Sequence, residues 1–269
     1  MTALDDWGEA LASWALPEEI LQRTRRSPWE FPWELFRRRA EAAIEAEPTP
    51  SASRALEALP RGGSVLDVGA GPGAAGLALA RKAGRITALD PSQEALVIFE
   101  ALADRAGVED AVMVGTWPEA AADAPVADVI VCHHVLYNVA ELEPFVTQLT
   151  AHARRRVVCE ITAQHPRAEI NDLWKRLHDL DRPDRPTADD AERALAELGV
   201  PAHREDWSVV RSPEPRDELI GRLLTELALE PDEEPKLVAA LGDRLREIDG
   251  GWSLEPRERR LVTFWWDAA

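Results

Sequence analysis

From residue 64 onward the chain alternates two kinds of hydrophobic spacing. Short apolar runs rich in Val, Ile and Leu, at 64–68, 85–89, 111–114, 128–132 and 156–161, have the length of strands. Between them the apolar positions recur three and four apart over 74–82, 92–106 and 140–153, the period of a helix face. This alternation predicts βαβ units on a mainly parallel sheet, and Gly84 and Gly107 stand where helix C-caps favour glycine. Past Thr162 the pattern predicts a helix over 168–180 and then the breaker run Asp181-Arg182-Pro183-Asp184-Arg185-Pro186. A further helix opens at Thr187, with Asp190 three residues on in the manner of a capping box, and ends at Leu198-Gly199. Two last strands, 203–210 and 260–266, bracket an acidic insertion read as helical over 216–248. The first 60 residues lack strand periodicity and read as helices at 5–16, 18–24 and 32–46, closed by Pro48 and Pro50, with a short one at 53–59. The expected fold class is α/β: a seven-stranded, mostly parallel, doubly wound sheet in a domain over 61–269. It carries an N-terminal helical cap or lid over 1–60 and a helical insertion at about 214–250, before the last strand.

The segment with the most chemical content is Val65-Leu66-Asp67-Val68-Gly69-Ala70-Gly71-Pro72-Gly73-Ala74-Ala75-Gly76, where a strand breaks into a glycine-dense turn and a helix follows. Glycines let the backbone approach a ligand closely and reach positive φ, so this turn is a binding loop. Gly71, Gly73 and Gly76 satisfy G-x-G-x-x-G, and Asp90 falls at the ribose position of a dinucleotide fold, which leaves a nicotinamide-dependent dehydrogenase open. Two features point elsewhere. Asp67 interrupts the strand that should run apolar to the first glycine, and an additional Gly69 begins the turn.

Asp67-x-Gly69-x-Gly71-x-Gly73 resembles motif I of the class I S-adenosylmethionine-dependent methyltransferases, of the small-molecule type. The resemblance extends to Thr87-Ala88-Leu89-Asp90-Pro91-Ser92 and covers roughly 50–210 and 259–267. It implies S-adenosylmethionine as cofactor, with S-adenosylhomocysteine as product. Asp67 would orient the turn and the methionine amino group, Gly69, Ala70, Gly71 and Gly73 would accommodate methionine and ribose, and Asp90, beside Pro91, would accept the ribose hydroxyls. After the third strand, Thr116 and Trp117 stand where relatives carry an acidic residue for adenine, so its recognition would rest on backbone atoms, the Thr116 hydroxyl and stacking on Trp117. The segment 127–137, with Cys132, His133, His134 and Tyr137, would line the methionine end and the transfer point, and 261–266 would be the seventh strand.

Methyl transfer from a sulfonium needs a base only when the acceptor arrives protonated. His133 and His134 are the candidate catalytic residues, because histidine titrates near neutrality and these two follow the strand aimed at the donor methyl; the alternative is that they serve only packing and backbone hydrogen bonds. A second cluster, Glu160, His165, Asn171, Trp174 and His178, starts where an α/β sheet places its ligand crevice. Glu160, His165, Trp174 and His178 are candidate substrate contacts with Tyr137, against the alternative of a surface helix over a buried Trp. The adjacent His133 and His134 point different ways along an extended chain and lack ligands at metal spacing, so no metal is expected.

Composition narrows the acceptor. The chain has 31 Lys+Arg against 49 Asp+Glu, a net −18, which disfavours nucleic acid as a partner because phosphate-tracking surfaces concentrate cations. Part of that charge lies at 211–250, with 11 acidic and 6 basic residues. Arg23, Arg25, Arg26 and Arg37-Arg38-Arg39 alternate with Glu30, Glu34 and Glu41 and read as a solvated helix face. Ten Trp accompany a single Tyr, and Trp7, Trp14, Trp29 and Trp33 all fall in the first 33 residues. Trp29 and Trp33, in the aromatic segment 27–36, are expected on the acceptor side of the cap, where flat side chains exclude water or hold an apolar or cationic group. Cys132 and Cys159 are too few for a disulfide framework and read as buried small hydrophobes on neighbouring strands. No signal-peptide pattern or membrane-length apolar stretch is seen, so the expectation is a cytoplasmic enzyme with a small-molecule acceptor and no membrane partner. A methyltransferase acting on RNA or protein, or a cofactor-binding protein without catalysis, are the other readings.

Overall fold

The architecture is that of a computed structural model, which describes residues 2–29 and 33–268; residues 30–32, inside the aromatic segment, lie outside the described residues. The strands are β1 (Gly63–Val68), β2 (Ala83–Asp90), β3 (Glu109–Val114), β4 (Ala127–His133), β5 (Ala153–Thr162), β6 (His203–Val210), β7 (Leu245–Ile248), β8 (Gly251–Leu254) and β9 (Glu258–Asp267). The helices are α1 (Ala3–Ala12), α2 (Glu18–Leu21), α3 (Trp33–Ala43), α4 (Pro50–Ala58), α5 (Ala74–Leu77), α6 (Gln93–Ala106), α7 (Leu142–His152), α8 (Asn171–His178), α9 (Ala188–Glu197), α10 (Arg216–Glu226) and α11 (Glu234–Leu241). Seven strands form one sheet in the order β3-β2-β1-β4-β5-β9-β6. Pairings from β3 through β5 are parallel, whereas β9 runs antiparallel to both β5 and β6.

The sheet is covered on both faces, which is why its central strands read as unbroken apolar runs. One core joins β-strand residues such as Leu66, Ile130, Cys132 and Phe264 to Phe145 and Leu149 of α7 and to Ala191 and Leu195 of α9. The other joins Val65, Ile86, Val129 and Val158 to Ala40 of α3, Ala52 and Ala55 of α4, Leu77 of α5 and Phe99 of α6. The N-terminal helices are shared out among these cores. Trp7 belongs to the first, and Leu16 and Ile20 to a third cluster with α8, α10 and α11.

Four expectations change, the simplest being that Gly84, expected as a helix C-cap, lies inside β2. The helix expected over 74–82 is only the single turn of α5, and the chain turns through 78–82 before β2. Gly76 is pinned under Asp67, whose Oδ2 accepts its N–H at 2.8 Å, and Asp67 sits where a Cβ at Gly76 would meet it at 2.9 Å. The insertion is not helical throughout: α10 and α11 give way to the hairpin β7–β8. Its turn is Asp249-Gly250, with φ +50° and +79°, the left-handed pair a two-residue hairpin loop requires. Pro50, rather than closing a helix, is the first residue of α4, capped by the Thr49 hydroxyl, since proline's missing N–H costs nothing there.

Candidate active site

Every glycine of the binding loop has a local reason. Gly69 (φ +70°) lies against Val135, which a Cβ would meet at 2.4 Å, and Gly73 (φ +93°) lies equally close to Phe99. Gly71 (φ +51°) differs: the nearest atom to a Cβ there is Cζ3 of Trp33, at 3.8 Å. The N-terminus of α3 therefore overhangs the loop with an indole.

The loop's donors are used internally. Gly69 and Ala70 both give their N–H to Leu89 O (2.8 and 3.1 Å), and Gly73 gives its own to Ala70 O (2.8 Å). Gly71 donates to Asp90 Oδ2 and Gly76 to Asp67 Oδ2, each at 2.8 Å. Pro72 has no N–H. These five loop N–H groups are committed within the protein, which weighs against a loop built to cradle a pyrophosphate.

The carboxylates fit a ligand that presents donors. Asp67 is buried, and its Oδ1 has no hydrogen-bond partner among the described residues, a cost that a donor from a bound molecule would remove. Burial, with Asp90 adding repulsion against the single N–H of Gly76, lifts the Asp67 carboxyl to about 7. Asp90, at the end of β2, accepts Gly71 N–H on one oxygen and Ser92 N–H on the other (2.8 Å each), and each oxygen keeps a lone pair. An ammonium at Asp67 and a diol at Asp90 match the amino acid and ribose of S-adenosylmethionine. Ala70 is partly exposed at the loop surface, Pro91 and Thr116 are exposed, and the Thr116 hydroxyl donates to Glu119 at 2.9 Å. Trp117 turns inward: it is buried, donates to Phe145 O at 3.1 Å and meets His152 edge-on. Cys132 is fully buried opposite Cys159 in the β4/β5 register, and burial raises its thiol.

At the end of β4 the two histidines do not diverge. His134 enters the left-handed region (φ +62°), its N–H donates to Glu160 O at 2.6 Å, and its Nε2 lies 3.0 Å from Glu160 Oε1. His133 Nδ1 lies 3.9 Å from the other oxygen, so both rings face one carboxylate. Burial resists ionising Glu160, but His133, His134 and the Ser51 hydroxyl outweigh it and hold the group ionised down to about 2. Ser51 in turn bonds Thr263 (2.6 Å). His133 is buried with Nε2 unpartnered, and burial lowers its pKa, whereas the His134 side chain is half exposed.

The remaining sequence candidates separate into two groups. Trp33 overhangs the loop, and Trp29, 38% exposed, lies flat under the guanidinium of Arg167, 4.1 Å away. Tyr137, His165 and Trp174 are buried: the Tyr137 hydroxyl donates to Thr162 O (2.7 Å), and its ring stacks on Trp7 and meets His165 edge-on. His165 is sandwiched against Trp14 at 3.7 Å, and burial, aided by Arg167 and Arg182, drives it to about 3, a neutral ring. Trp7 and Trp14 donate to Val139 O and Arg185 O, which ties the N-terminal segment to the loops after β4 and before α9. Trp174 packs under Arg182, Asn171 donates to Pro183 O, and His178, bonded to Leu227 O, borders a separate surface cleft with Arg23, Arg176 and Lys236. Among the described residues no group of three His, Cys, Asp or Glu is arranged to hold a metal ion.

Comparison with known proteins agrees with this geometry. Residues 36–203 match the family model described as a methyltransferase domain. The fold is similar to that of the YcgJ protein of Bacillus subtilis, at 17% identity and TM-score 0.54 over 81% of this chain and 97% of that one. It is similar also to a Bacillus halodurans protein assigned provisionally as a methyltransferase, at 14% identity and TM-score 0.52 over 81% and 98%. No curated protein matches the sequence. The chain belongs to the methyltransferase-domain family and is a class I, S-adenosylmethionine-dependent methyltransferase. Among the described residues no helix is long and apolar enough to cross a membrane.

Proposed function

We propose that this enzyme methylates a small-molecule acceptor held between α3, the 133–137 segment and the carboxyl end of β5. The observation that carries the cofactor half of this reading is the inward commitment of the loop donors together with the open Oδ1 of Asp67. The cofactor supplies, when bound, a methyl group already activated on a sulfonium, so catalysis consists mainly of alignment and exclusion of water.

The chain's own residues divide that work. Asp67, buried and short of a donor, takes the cofactor's ammonium, and Asp90 takes the ribose diol. The Trp33 indole covers the loop from the cap side, within van der Waals reach of a Cβ at Gly71. Glu160 fixes the half-exposed His134 ring through Nε2 and favours the tautomer with its proton there, which leaves Nδ1 as the ring's acceptor. That arrangement suits removal of a proton from an incoming hydroxyl, amine or thiol. The net −18 of the chain supports a small molecule over RNA.

A cocrystal with S-adenosylhomocysteine tests this reading. The amino group is expected at Asp67, the ribose at Asp90 and the sulfur directed toward His134. A ligand bound away from Asp67 and Asp90, or a sulfur directed away from His134, would refute it.

A further inference from the structure

The sequence presents Arg37-Arg38-Arg39 as one solvated run, but the three side chains have different fates. Arg37 pairs with Glu34 and Glu41 on its own helix, and Arg38 reaches Glu218 on α10. Arg39 has no carboxylate within ion-pair distance among the described residues, and neither do Arg167 and Arg259. In a chain with 49 acidic residues, three unpaired arginines in one region call for an explanation.

They do lie in one region. Arg39 is on α3, the helix whose first residue overhangs Gly71; Arg259 is at the start of β9; Arg167 follows the carboxyl end of β5. Because β9 runs antiparallel to β5, with Thr162 opposite Leu261, its start and the end of β5 share the sheet edge where the parallel strands present the ligand crevice. Arg39 and Arg259 act on each other electrostatically, and both feel Arg211 and Arg222. Of the nearby acids, Glu169 is committed to Arg211, and Glu214 and Glu226 to Arg222. These five arginines and three glutamates leave a local excess of two positive charges inside a protein of net −18.

The free cations are also desolvated. Protein around Arg39, together with its positive neighbours Arg259 and Arg222, lowers its guanidinium to about 10, although its side chain is open to solvent. Burial lowers Arg167 and Arg259 as well. Arg167 is held by the face of Trp29, and among the described residues no carboxylate pairs with its N–H edge. Leaving such charges uncompensated is costly unless an anion completes the site.

We infer that Arg39, Arg259 and Arg167 form an anion subsite of the acceptor crevice, and that the methyl acceptor carries a carboxylate or phosphate group. This rests on the acceptor crevice proposed above. Arg39 and Arg259 would grip the anion through paired N–H donors, a geometry guanidinium offers and ammonium does not. The anion would fix one end of the acceptor while its nucleophile meets the methyl group near His134.

The test uses the full chain saturated with S-adenosylhomocysteine, titrated calorimetrically with inorganic phosphate and, separately, with succinate, which distinguishes the two kinds of anion. At least one is expected to bind saturably, with affinity falling tenfold or more in both Arg39→Gln and Arg259→Gln. Arg26→Gln, at an exposed position elsewhere on the cap, is expected to leave it unchanged, and S-adenosylhomocysteine affinity is expected to stay constant throughout, which also reports on folding. Phenylglyoxal, which attacks deprotonated guanidines, is expected to label Arg39 early and to be blocked by the bound anion. No saturable anion binding, binding indifferent to both substitutions, or labelling without protection would overturn the inference. So would an Arg39→Gln variant that loses S-adenosylhomocysteine affinity as steeply as anion affinity, since Arg39 would then hold the cofactor's carboxylate. Anion binding that depends on Arg39 and Arg259 while S-adenosylhomocysteine does not bind would uphold the subsite and refute the cofactor reading.

Discussion

Asp67 offers the sharpest quantitative consequence of the site, because its burial and its unpartnered oxygen act in opposite directions on stability and on binding. Its carboxyl is lifted from an ordinary 3.8 to about 7, chiefly by burial. The folded state therefore holds this proton more tightly than the unfolded chain does. The resulting stabilisation is complete below about pH 4 and lost as pH rises through 7. Between pH 5 and 8.5 the loss spans about two units, roughly 3 kcal/mol at about 1.4 kcal/mol per unit. Asp67→Asn keeps an oxygen for Gly76 N–H and has no charge to bury. Urea denaturation of ligand-free wild type and variant at both pH values isolates the effect, because all other groups cancel in the difference. The variant is expected to gain roughly 3 kcal/mol relative to wild type between pH 5 and 8.5, while its affinity for S-adenosylhomocysteine falls at least tenfold. A stability difference independent of pH, or a variant that binds S-adenosylhomocysteine normally, would refute the assignment of a buried, ligand-seeking carboxyl.

Four further outcomes follow from the same geometry. His134→Ala is expected to lower kcat on the order of 100-fold for a protonated acceptor with little change in cofactor affinity; unchanged kinetics across the pH range would assign the ring to structure. Glu160→Gln is expected to reproduce much of that loss and to destabilise the fold above pH 4.5, since the wild-type carboxylate, held ionised down to about 2, contributes its stability above its unfolded pKa and loses it as pH falls toward 2; equal stability of the two proteins at pH 7 would contradict this. Gly73→Ala, which combines φ +93° with a contact at 2.4 Å, is expected to cost about 1–3 kcal/mol or more, and Gly71→Ala, at φ +51° with only an ordinary 3.8 Å contact to Trp33, distinctly less; thermal melts in the reverse order would be inconsistent with the loop geometry. Asp90→Ala is expected to weaken cofactor binding by about 1.5–3 kcal/mol, measured by calorimetry, and an unaltered dissociation constant would remove its ribose role.

The sheet was readable because its strands are short apolar runs spaced by helical periodicity, and the loop because Asp67 and its glycines stand together in one short stretch, 67–76. The hairpin signature Asp249-Gly250 is embedded in a segment whose apolar spacing suits a helix, so the two local patterns compete there. The short α5 could not be read from its Ala- and Leu-rich composition, since its end is imposed by packing of Gly76 beneath Asp67. Beyond the neighbouring Cys132 and Cys159, long-range side-chain pairings were not legible. His134 meets Glu160 because β4 and β5 align in register and the backbone twists left-handed at one residue, and neither fact is written in a local pattern. Arg39, Arg167 and Arg259 are spread over more than two hundred residues and converge only when β9 returns antiparallel beside β5.

Calorimetric titration of the purified protein with S-adenosylhomocysteine and, separately, with NAD bears most directly on the central claim. A loop whose N–H groups are turned inward onto Asp67, Asp90 and the β2 backbone is expected to bind S-adenosylhomocysteine saturably and to give no heat with NAD. Saturable binding of NAD with none of S-adenosylhomocysteine would contradict it.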